Sequence, residues 1–167
     1  MNHELKLRAV EPEDADMMYE IEAEEDAWIY SDYLAPISHE LLKEYALTYD
    51  ADPFRSGQLR LIIEAEGEAI GLLDLFDISP RHLRADTGIY ILHRFRGKGL
   101  GVKAIELVKV YSRNRLGLHQ LTATVARQNE AARRCYNKAG FECSGSRVDW
   151  LRIPDGWVDV DLLYCRL

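Results

Sequence analysis

The sequence predicts an α+β fold, in which helices and strands are mixed without the strict alternation of a parallel β–α–β protein. Two observations support this class. The middle of the chain has the pattern of an antiparallel meander, and the C-terminal end contains two long strand patterns joined by Pro154-Asp155-Gly156. No linker, repeat or low-complexity segment divides the chain, so we expect a single domain over residues 1–167.

The N-terminal part is predicted to contain one strand followed by two helices. Apolar and charged residues alternate over residues 5–9, as in a half-buried strand. Pro12 and the acidic residues after it are typical of a first helical turn. The second helix is expected to begin after Ser38, which is a good N-cap. Its inward-facing residues are predicted to be Leu41, Leu42 and Tyr45.

Six further strands and two further helices are predicted, which makes about seven strands and about four helices in all. The strands are expected at residues 59–65, 70–78, 85–92, 121–125, 141–153 and 157–167. A long helix that ends near Leu116 is expected after a glycine loop. Asn129 is expected to begin a shorter helix, which Gly140 ends.

Charge is distributed unevenly along the chain. Residues 1–93 contain 21 acidic and 7 basic side chains, whereas residues 94–167 contain 7 acidic and 14 basic ones, which together give the net charge of −7. A basic half suits a polyanionic ligand and an acidic half suits a cationic one. Solvated surface charge explains the acidic half equally well.

The three cysteines, Cys135, Cys143 and Cys165, are odd in number and widely spaced, which argues against a disulfide framework. Neither they nor the five histidines show the spacing of a zinc site, so we expect no metal. The first residues lack the apolar stretch of a signal peptide, and no apolar run is long enough to span a bilayer. We therefore expect a cytoplasmic protein with no membrane partner.

A glycine-rich loop between a predicted strand and the long helix is the main candidate for ligand binding. Gly97, Gly99 and Gly101 permit a tight turn, and the exposed amides at a helix start can bind phosphate. Positive charge on the same loop comes from Arg94, Arg96 and Lys98. These features predict a phosphate or pyrophosphate ligand.

Familiar nucleotide-binding motifs do not fit this loop. The dinucleotide fingerprint requires Gly-x-Gly-x-x-Gly near the first strand of a β–α–β unit, but the spacing here is Gly-x-Gly-x-Gly after several antiparallel strands. The nucleotide-triphosphate loop requires Ser or Thr after Gly-Lys, and here Gly99 follows Lys98. Nucleic acid is also disfavoured, because residues 94–115 interleave basic charges with core positions and the chain is acidic overall.

The segment Arg96-Gly97-Lys98-Gly99-Leu100-Gly101 resembles the Arg/Gln-x-x-Gly-x-Gly/Ala signature of the GNAT superfamily of N-acetyltransferases. Residues 129–141 resemble a second stretch of that family, Asn-x-x-Ala-x-x-x-Tyr-x-x-x-Gly-Phe, with every named position filled. The resemblance in element order covers essentially the whole chain. It implies the GNAT fold, in which a mixed and mostly antiparallel sheet splays apart at the coenzyme site.

The resemblance implies that the chain uses acetyl-coenzyme A (acetyl-CoA) as cosubstrate and transfers its acetyl group to an amine. The pyrophosphate would lie on the amides after Arg96, and the pantetheine would pair with the backbone near Ile91. An amide in the Ile91–Leu92 region would polarise the thioester carbonyl, and Tyr136 matches the family's usual general acid for the departing thiolate. The implied coenzyme-binding residues are Ile91, Leu92, His93, Arg96, Gly97, Lys98, Gly99, Leu100, Gly101, Val102, Asn129 and Tyr136.

The sequence leaves the general base open. A primary amine is mostly protonated near neutral pH, because its pKa is near that of lysine, so a carboxylate or a water must take its proton. Asp86, at the start of the coenzyme-facing strand, is one candidate, and Asp74 and Asp77 on the preceding strand are others. Asp74 and Asp77 would point to opposite faces of a regular strand. A covalent route through Cys135 is disfavoured, because no Cys–His pairing is evident.

Within the superfamily, the chain resembles spermidine/diamine N-acetyltransferases and ribosomal-protein N-terminal acetyltransferases. A small polyamine is the first expectation for the acceptor, a protein N-terminus is the second, and a non-catalytic acyl-CoA sensor is a remote third. An acidic and aromatic N-terminal region suits a polycation, although an exposed acidic helix with its aromatic residues in the core has the same pattern. The resemblance is also compatible with a homo-oligomer. The candidate acceptor-binding residues are Glu25, Trp28, Tyr33 and Asp77.

Overall fold

Seven strands form a single mixed sheet in the computed structural model, which describes residues 4–32 and 34–167. The strands are β1 (Leu5–Arg8), β2 (Leu59–Ala65), β3 (Glu68–Ser79), β4 (Arg84–Ile91), β5 (Gln120–Ala126), β6 (Glu142–Ile153) and β7 (Gly156–Arg166). Their order in the sheet is β1-β2-β3-β4-β5-β7-β6. Every neighbouring pair is antiparallel except β4 and β5.

Helices lie on both faces of this sheet. They are α1 (Ala15–Ala23), α2 (Glu25–Ile29), α3 (His39–Thr48), α4 (Pro53–Ser56), α5 (Leu100–Asn114) and α6 (Glu130–Lys138), with 3-10 turns at Pro12–Asp14 and His93–Phe95. The α+β prediction is confirmed, but the described residues form six α-helices instead of about four. The short helices α2 and α4 contain too few residues to show a helical periodicity in the sequence. No helix within residues 4–32 and 34–167 is both long enough and apolar enough to cross a bilayer.

The predicted start of α3 is confirmed, because the Ser38 hydroxyl accepts a hydrogen bond from the Leu41 amide at 3.2 Å. The prediction that Leu41 faces the core is wrong. Leu41 is 56% exposed, whereas Leu42 and Ala46 are buried. Residues four apart share a helix face, and Leu41 lies about 100° away from the face that Leu42 and Ala46 define.

The sheet has an apolar core on each face. On one face α1 and α3 pack over Ile62, Leu72 and Leu92. On the other face α5 and α6 pack over residues that include Ile63 and Leu73. Because alternate residues of a strand point to opposite faces, Leu72, Asp74 and Phe76 of β3 face the N-terminal helices.

The end of β3 is irregular. Its pairing with β4 shifts between Phe76 and Ser79, and Asp77 has a φ of 48°, in the left-handed region. Asp77 is exposed, whereas the next residue, Ile78, returns to the core. The alternation expected between Asp74 and Asp77 therefore does not hold, because the strand is not regular between them.

The strands β4 and β5 separate after a short parallel ladder. Their pairing ends at Asp86 and Thr122, although β4 continues to Ile91 and β5 continues to Ala126. β5 remains paired with β7 along its length. The space between the diverging strands, bordered on one side by residues 87–91, is called the β4–β5 cleft below.

Candidate active site

The glycine loop enters α5 through two residues in the left-handed region. Gly97 has a φ of 77° and Gly99 has a φ of 75°, which residues with a side chain rarely adopt. A Cβ added at either glycine would have no heavy atom within 4 Å, so both positions border open space. Gly99 is the N-cap of α5, and the first amides of a helix have no partner inside the helix. The loop therefore fits a pyrophosphate group.

Gly101 has a different role, because it allows α5 to approach α6. A Cβ at this position would lie 2.9 Å from Cys135 Sγ and 3.6 Å from Ile91 Cδ1. Cys135 immediately precedes Tyr136 on α6. The contact between Gly101 and Cys135 thus fixes the glycine loop relative to the predicted general acid.

Carboxylates of the N-terminal helices bind two of the basic residues near the loop. Arg94 pairs with Glu20 of α1, and Nη1 of Arg96 lies 2.5 Å from Asp26 Oδ2 of α2. Among the described residues, Lys98 forms no ion pair. Acidic side chains from the other half of the chain thus contact two of the three basic residues that the sequence places on this loop.

Asp26 is the centre of a polar cluster that joins α2 to the end of β4. Its carboxylate contacts the Tyr90 hydroxyl, His93 Nε2 at 3.0 Å and Arg96 Nη1. Glu24 accepts hydrogen bonds from the Tyr90 hydroxyl at 2.7 Å and from the His93 amide at 3.0 Å. Burial raises the pKa of Asp26, but the hydrogen bonds from Arg96, Tyr90 and His93 outweigh burial and hold this pKa well below its usual range.

The same cluster brings three groups close enough to share a metal ion. The ligand atoms of Glu24, Asp26 and His93 lie within 4.8 Å of one another. The Arg96 guanidinium, however, lies on Asp26 and also 3.7 Å from Glu24. The guanidinium thus supplies the positive charge that a metal ion would bring to these carboxylates. The arrangement therefore fits an ion-pair network better than a metal centre.

The backbone of β4 directs alternate groups into the β4–β5 cleft. The Leu92 amide donates to the Ile70 carbonyl of β3 at 3.0 Å. In an antiparallel ladder the intervening residues then point their backbone groups away from β3. The amides of Ile89 and Ile91 consequently face the cleft. Of the two amides in the predicted Ile91–Leu92 region, that of Ile91 is the one in position to contact a thioester carbonyl.

Two carbonyls on this edge accept hydrogen bonds from side chains. The Thr87 carbonyl accepts from the Tyr136 hydroxyl at 3.1 Å, and the Ile91 carbonyl accepts from Arg96 Nε at 2.6 Å. Both contacts confirm that the odd-numbered carbonyls of β4 point into the cleft. They also place the hydroxyl of Tyr136 at the point where the cleft begins.

Tyr136 is 3% exposed and packs edge-on against Phe141, with ring centroids 5.0 Å apart. Burial raises the pKa of its hydroxyl above the usual range, so this group stays protonated at physiological pH. Asn129, the first residue of the same motif, caps α6 by accepting a hydrogen bond from the Ala132 amide at 3.1 Å. The predicted helix start is confirmed, and the contact of Asn129 with the coenzyme stays a prediction.

A cavity of about 610 Å³ opens on the face of the sheet that carries α1 and α3. It reaches Gly88 and Ile89 of β4, so it adjoins the strand that borders the cleft. The charged residues of its lining are Glu22, Asp32, Arg60 and Asp74, and the aromatic ones are Trp28, Tyr30, Tyr45, Phe76 and Tyr90. Three carboxylates against one guanidinium make the cavity anionic. We call it the acceptor cavity.

The predicted bases occupy different places. Asp74 lines the acceptor cavity, where it accepts two hydrogen bonds from Arg60, at 2.8 Å and 2.7 Å. Asp86 accepts from the Thr122 hydroxyl at the last rung of the ladder and lies outside the lining of the cavity. Asp77 is also outside the lining, because the irregularity of β3 turns it to solvent.

The predicted acceptor-binding residues are only partly brought together. Trp28 lines the acceptor cavity and also a second cavity of about 410 Å³, which it shares with Glu25 and the end of β6. Glu25 does not line the acceptor cavity itself. Tyr33 lies outside the described residues, so its predicted role stays a prediction.

Sequence reasoning missed Glu22 and Arg60 as candidate site residues. Glu22 belongs to the acidic run of α1 and α2, but nothing in that run distinguishes it from its neighbours. Arg60 lies between two buried leucines of β2, and an arginine that alternates with buried residues indicates a face with a polar function. That pattern could have identified it.

Comparison with known proteins agrees with this geometry. Residues 4–142 match the model of the acetyltransferase (GNAT) domain family. The spermidine N(1)-acetyltransferase of Escherichia coli K12 is 31% identical over 146 residues, which cover 86% of this chain and 75% of the relative. A putative ribosomal N-acetyltransferase of Bacillus subtilis is 24% identical over 100% of this chain and 92% of its own length.

Solved structures of the Vibrio cholerae enzyme have the same fold. The crystal structure of its spermidine N-acetyltransferase in complex with CoA and spermine superimposes with a TM-score of 0.84 at 27% identity, over 97% of this chain and 95% of that chain. A dodecameric structure of the same enzyme gives a TM-score of 0.81 at 27% identity, over 97% and 93% of the two chains. The open glycine loop and the β4–β5 cleft thus have the fold context that acetyl-CoA requires, and the chain belongs to the GNAT family as an acetyl-CoA-dependent N-acetyltransferase.

Proposed function

We propose that this acetyltransferase acts on a small polyamine or diamine, and that the amine attacks the thioester directly in a ternary complex. The observation that carries the proposal is the acceptor cavity, which combines three carboxylates, one guanidinium and several aromatic rings beside β4. Carboxylates and aromatic faces both attract ammonium groups. The relatives that act on spermidine, and the Vibrio complex with spermine, support the same acceptor class.

Acetyl-CoA supplies the acetyl group as an activated thioester. The chain's own contribution on the donor side is a set of fixed backbone amides. Those at the start of α5, after Gly99, would bind the pyrophosphate, and those of Ile89 and Ile91 would pair with the pantetheine arm and polarise the carbonyl. These groups are held by α5 and by the sheet before the coenzyme binds, so little reorganisation would accompany the reaction.

Tyr136 would donate a proton to the departing thiolate. Its hydroxyl lies at the start of the cleft, on the Thr87 carbonyl, and it is protonated at physiological pH. Rotation about the C–O bond redirects the hydroxyl hydrogen from that carbonyl toward the cleft. The attacking nitrogen loses a proton when the amide bond forms, and this proton would return Tyr136 to its neutral form.

The proton of the ammonium would leave through the acceptor cavity. Asp74 lines this cavity and lies in register with Gly88 of β4, but Arg60 binds both of its carboxylate oxygens. Because Arg60 already occupies both oxygens, we propose that the proton reaches Asp74 through a water molecule. Asp86, held by Thr122 outside the cavity lining, is the less direct route.

Turnover with a panel of amines tests the proposed acceptor. The panel contains spermidine, 1,4-diaminobutane, 1-aminobutane and a peptide with a free α-amino group, and the release of CoA thiol is measured. We expect the highest kcat/KM for the polyamine or the diamine. Turnover of the peptide alone would replace the proposal with protein N-terminal acetylation, which the similarity to the putative ribosomal enzyme favours. Tight coenzyme binding without thiol release for any amine would indicate a sensor.

The dodecameric Vibrio structure supports a further part of the proposal, that this chain also forms a homo-oligomer. Light scattering coupled to size-exclusion chromatography gives the molar mass directly. A mass of 19.2 kDa, that of one chain, at micromolar concentration would contradict it.

A further inference from the structure

Glu22 is a carboxylate of the acceptor cavity that none of the reaction steps above uses. It lies near the end of α1, and it lines the cavity. Its Oε2 atom is buried and has no hydrogen-bond partner among the described residues. Buried carboxylate oxygens are normally hydrogen-bonded or ion-paired, because leaving them unpaired is costly. Glu22 therefore offers the cavity an acceptor for a hydrogen-bond donor or a cation.

The surroundings of Glu22 hold it in place without neutralising it. The indole Nε1 of Trp28 donates to the Glu22 carbonyl at 2.9 Å, which fixes the turn between α1 and α2. Arg60 is the positive group that acts on Glu22 electrostatically, but its guanidinium forms two hydrogen bonds with Asp74. Burial raises the pKa of Glu22, and the charge of Arg60 offsets this only in part.

The place of Glu22 in the cavity decides which nitrogen it can bind. Glu22 is on the helical wall of the cavity, whereas Gly88 and Ile89, next to the cleft, are on the sheet wall. The nitrogen that attacks the thioester must lose its proton, so a lasting ion pair requires another nitrogen that stays protonated. A diamine or polyamine has such a nitrogen and a monoamine does not.

We propose that Glu22 binds a second, non-reacting ammonium group of the acceptor and so determines the preference for acceptors with two or more positive charges. The inference rests on the proposed function and deepens it. The residue holds the far end of the acceptor while the near end reaches the thioester. It is a specificity-determining residue with no part in proton transfer.

The test compares two acceptors that share a four-carbon chain and differ by one ammonium group, 1,4-diaminobutane and 1-aminobutane. In Glu22→Gln we expect the KM for the diamine to rise about 10-fold or more, because a hydrogen bond to a charged group is lost. The KM for the monoamine, kcat at saturation and the KM for acetyl-CoA should change less than about twofold. Glu22→Asp, which keeps the charge on a shorter side chain, should give a smaller rise.

Glu44→Gln is the matched control, because it makes the same charge change at an exposed position of α3 that does not line the cavity. The melting temperature of each variant shows that it is folded. Equal diamine KM values in Glu22→Gln and Glu44→Gln would overturn the role of Glu22 and leave the proposed function intact. A large fall in kcat with the diamine preference unchanged would also overturn it, because it would make Glu22 the base. Absence of turnover of any polyamine or diamine by the wild type would overturn the proposed function itself.

Discussion

The proposed coenzyme side and the proposed acceptor side of this active site are built in different ways. On the coenzyme side, the groups proposed to make the contacts belong to the backbone: the glycines of residues 97–101, the amides at the start of α5 and the edge of β4 after its pairing with β5 ends. On the acceptor side, they come from side chains such as Glu22, Arg60 and Asp74, which three separate elements contribute. The conformation of the backbone thus determines the donor site, and the identity of the side chains determines the acceptor site.

Because of this difference, the two halves of the site tolerate different substitutions. A side chain on α1 or β2 can change without moving a backbone amide of α5, so the acceptor can diverge while the donor is retained. The two halves meet at the cluster of Asp26, Tyr90, His93 and Arg96. Substitutions on each side, and at this junction, can test how independent the halves are.

The largest effect is expected for Tyr136→Phe. Removal of the hydroxyl on the Thr87 carbonyl should lower kcat about 10²- to 10⁴-fold, since general acid catalysis contributes on this order. The KM for acetyl-CoA should change little, because the binding amides are unaffected. Tyr164→Phe is the control, because that hydroxyl contacts Glu142 at an exposed position. A Tyr136→Phe variant as active as the control would remove Tyr136 from the mechanism.

A smaller effect is expected for Gly99→Val, which tests the backbone character of the coenzyme side. A side chain in the left-handed region costs about 1–2 kcal/mol, and a β-branched one costs more, so the KM for acetyl-CoA should rise roughly tenfold. Gly57→Val is the matched control, because Gly57 has nearly the same φ, 74°, and equally open surroundings. Both variants should lose stability, but only Gly99→Val should weaken coenzyme binding. Equal coenzyme KM values would contradict the assignment of the loop.

The smallest effect is expected at the junction, in the pH dependence of Asp26→Asn. The pKa of Asp26 is lower in the folded chain than the ordinary value of about 3.9. Its stabilisation is therefore present above about pH 4 and is lost as the pH falls toward the folded pKa. The melting temperature of the variant should be a few degrees lower than that of the wild type at pH 7, and the difference should narrow below pH 4.

Asp50→Asn serves as the control for this measurement. The hydrogen bond from Arg55 lowers the pKa of Asp50 to about 2, but the pair is exposed and solvent screens it. Its substitution should change the melting temperature less than that of Asp26. A difference between Asp26→Asn and wild type that stayed constant from pH 7 to pH 3 would show that the ionisation of Asp26 does not stabilise the junction.

Most of the fold could be predicted from the sequence, because local patterns specify it. Period-two alternation located the strands, and capping residues such as Ser38 and Asn129 located helix starts. What the sequence could not predict are features that depend on contacts between distant segments. The bulge at Asp77 and the exposure of Leu41 belong to this class, whereas α2 and α4 were missed because each is too short to show a helical periodicity.

In the candidate site, too, local motifs can be predicted from the sequence and contacts between distant residues cannot. The glycine loop and Tyr136 are encoded in contiguous motifs, so the sequence predicts a role for both. The pairing of Arg96 with Asp26 joins residues 70 positions apart, and no local pattern predicts it. Likewise, Glu22 becomes distinct from the other acidic residues of its helix only through what it faces in the folded chain.

The early end of the β4–β5 ladder has a thermodynamic consequence. A ligand that completes the edge of β4 binds the folded chain and not the unfolded one, so folding and binding are linked by mass action. At a ligand concentration 100 times Kd, such linkage adds about 2.7 kcal/mol to the free energy of unfolding. Since this free energy is only about 5–15 kcal/mol in ordinary domains, the amount of folded enzyme would follow the supply of its own acetyl donor.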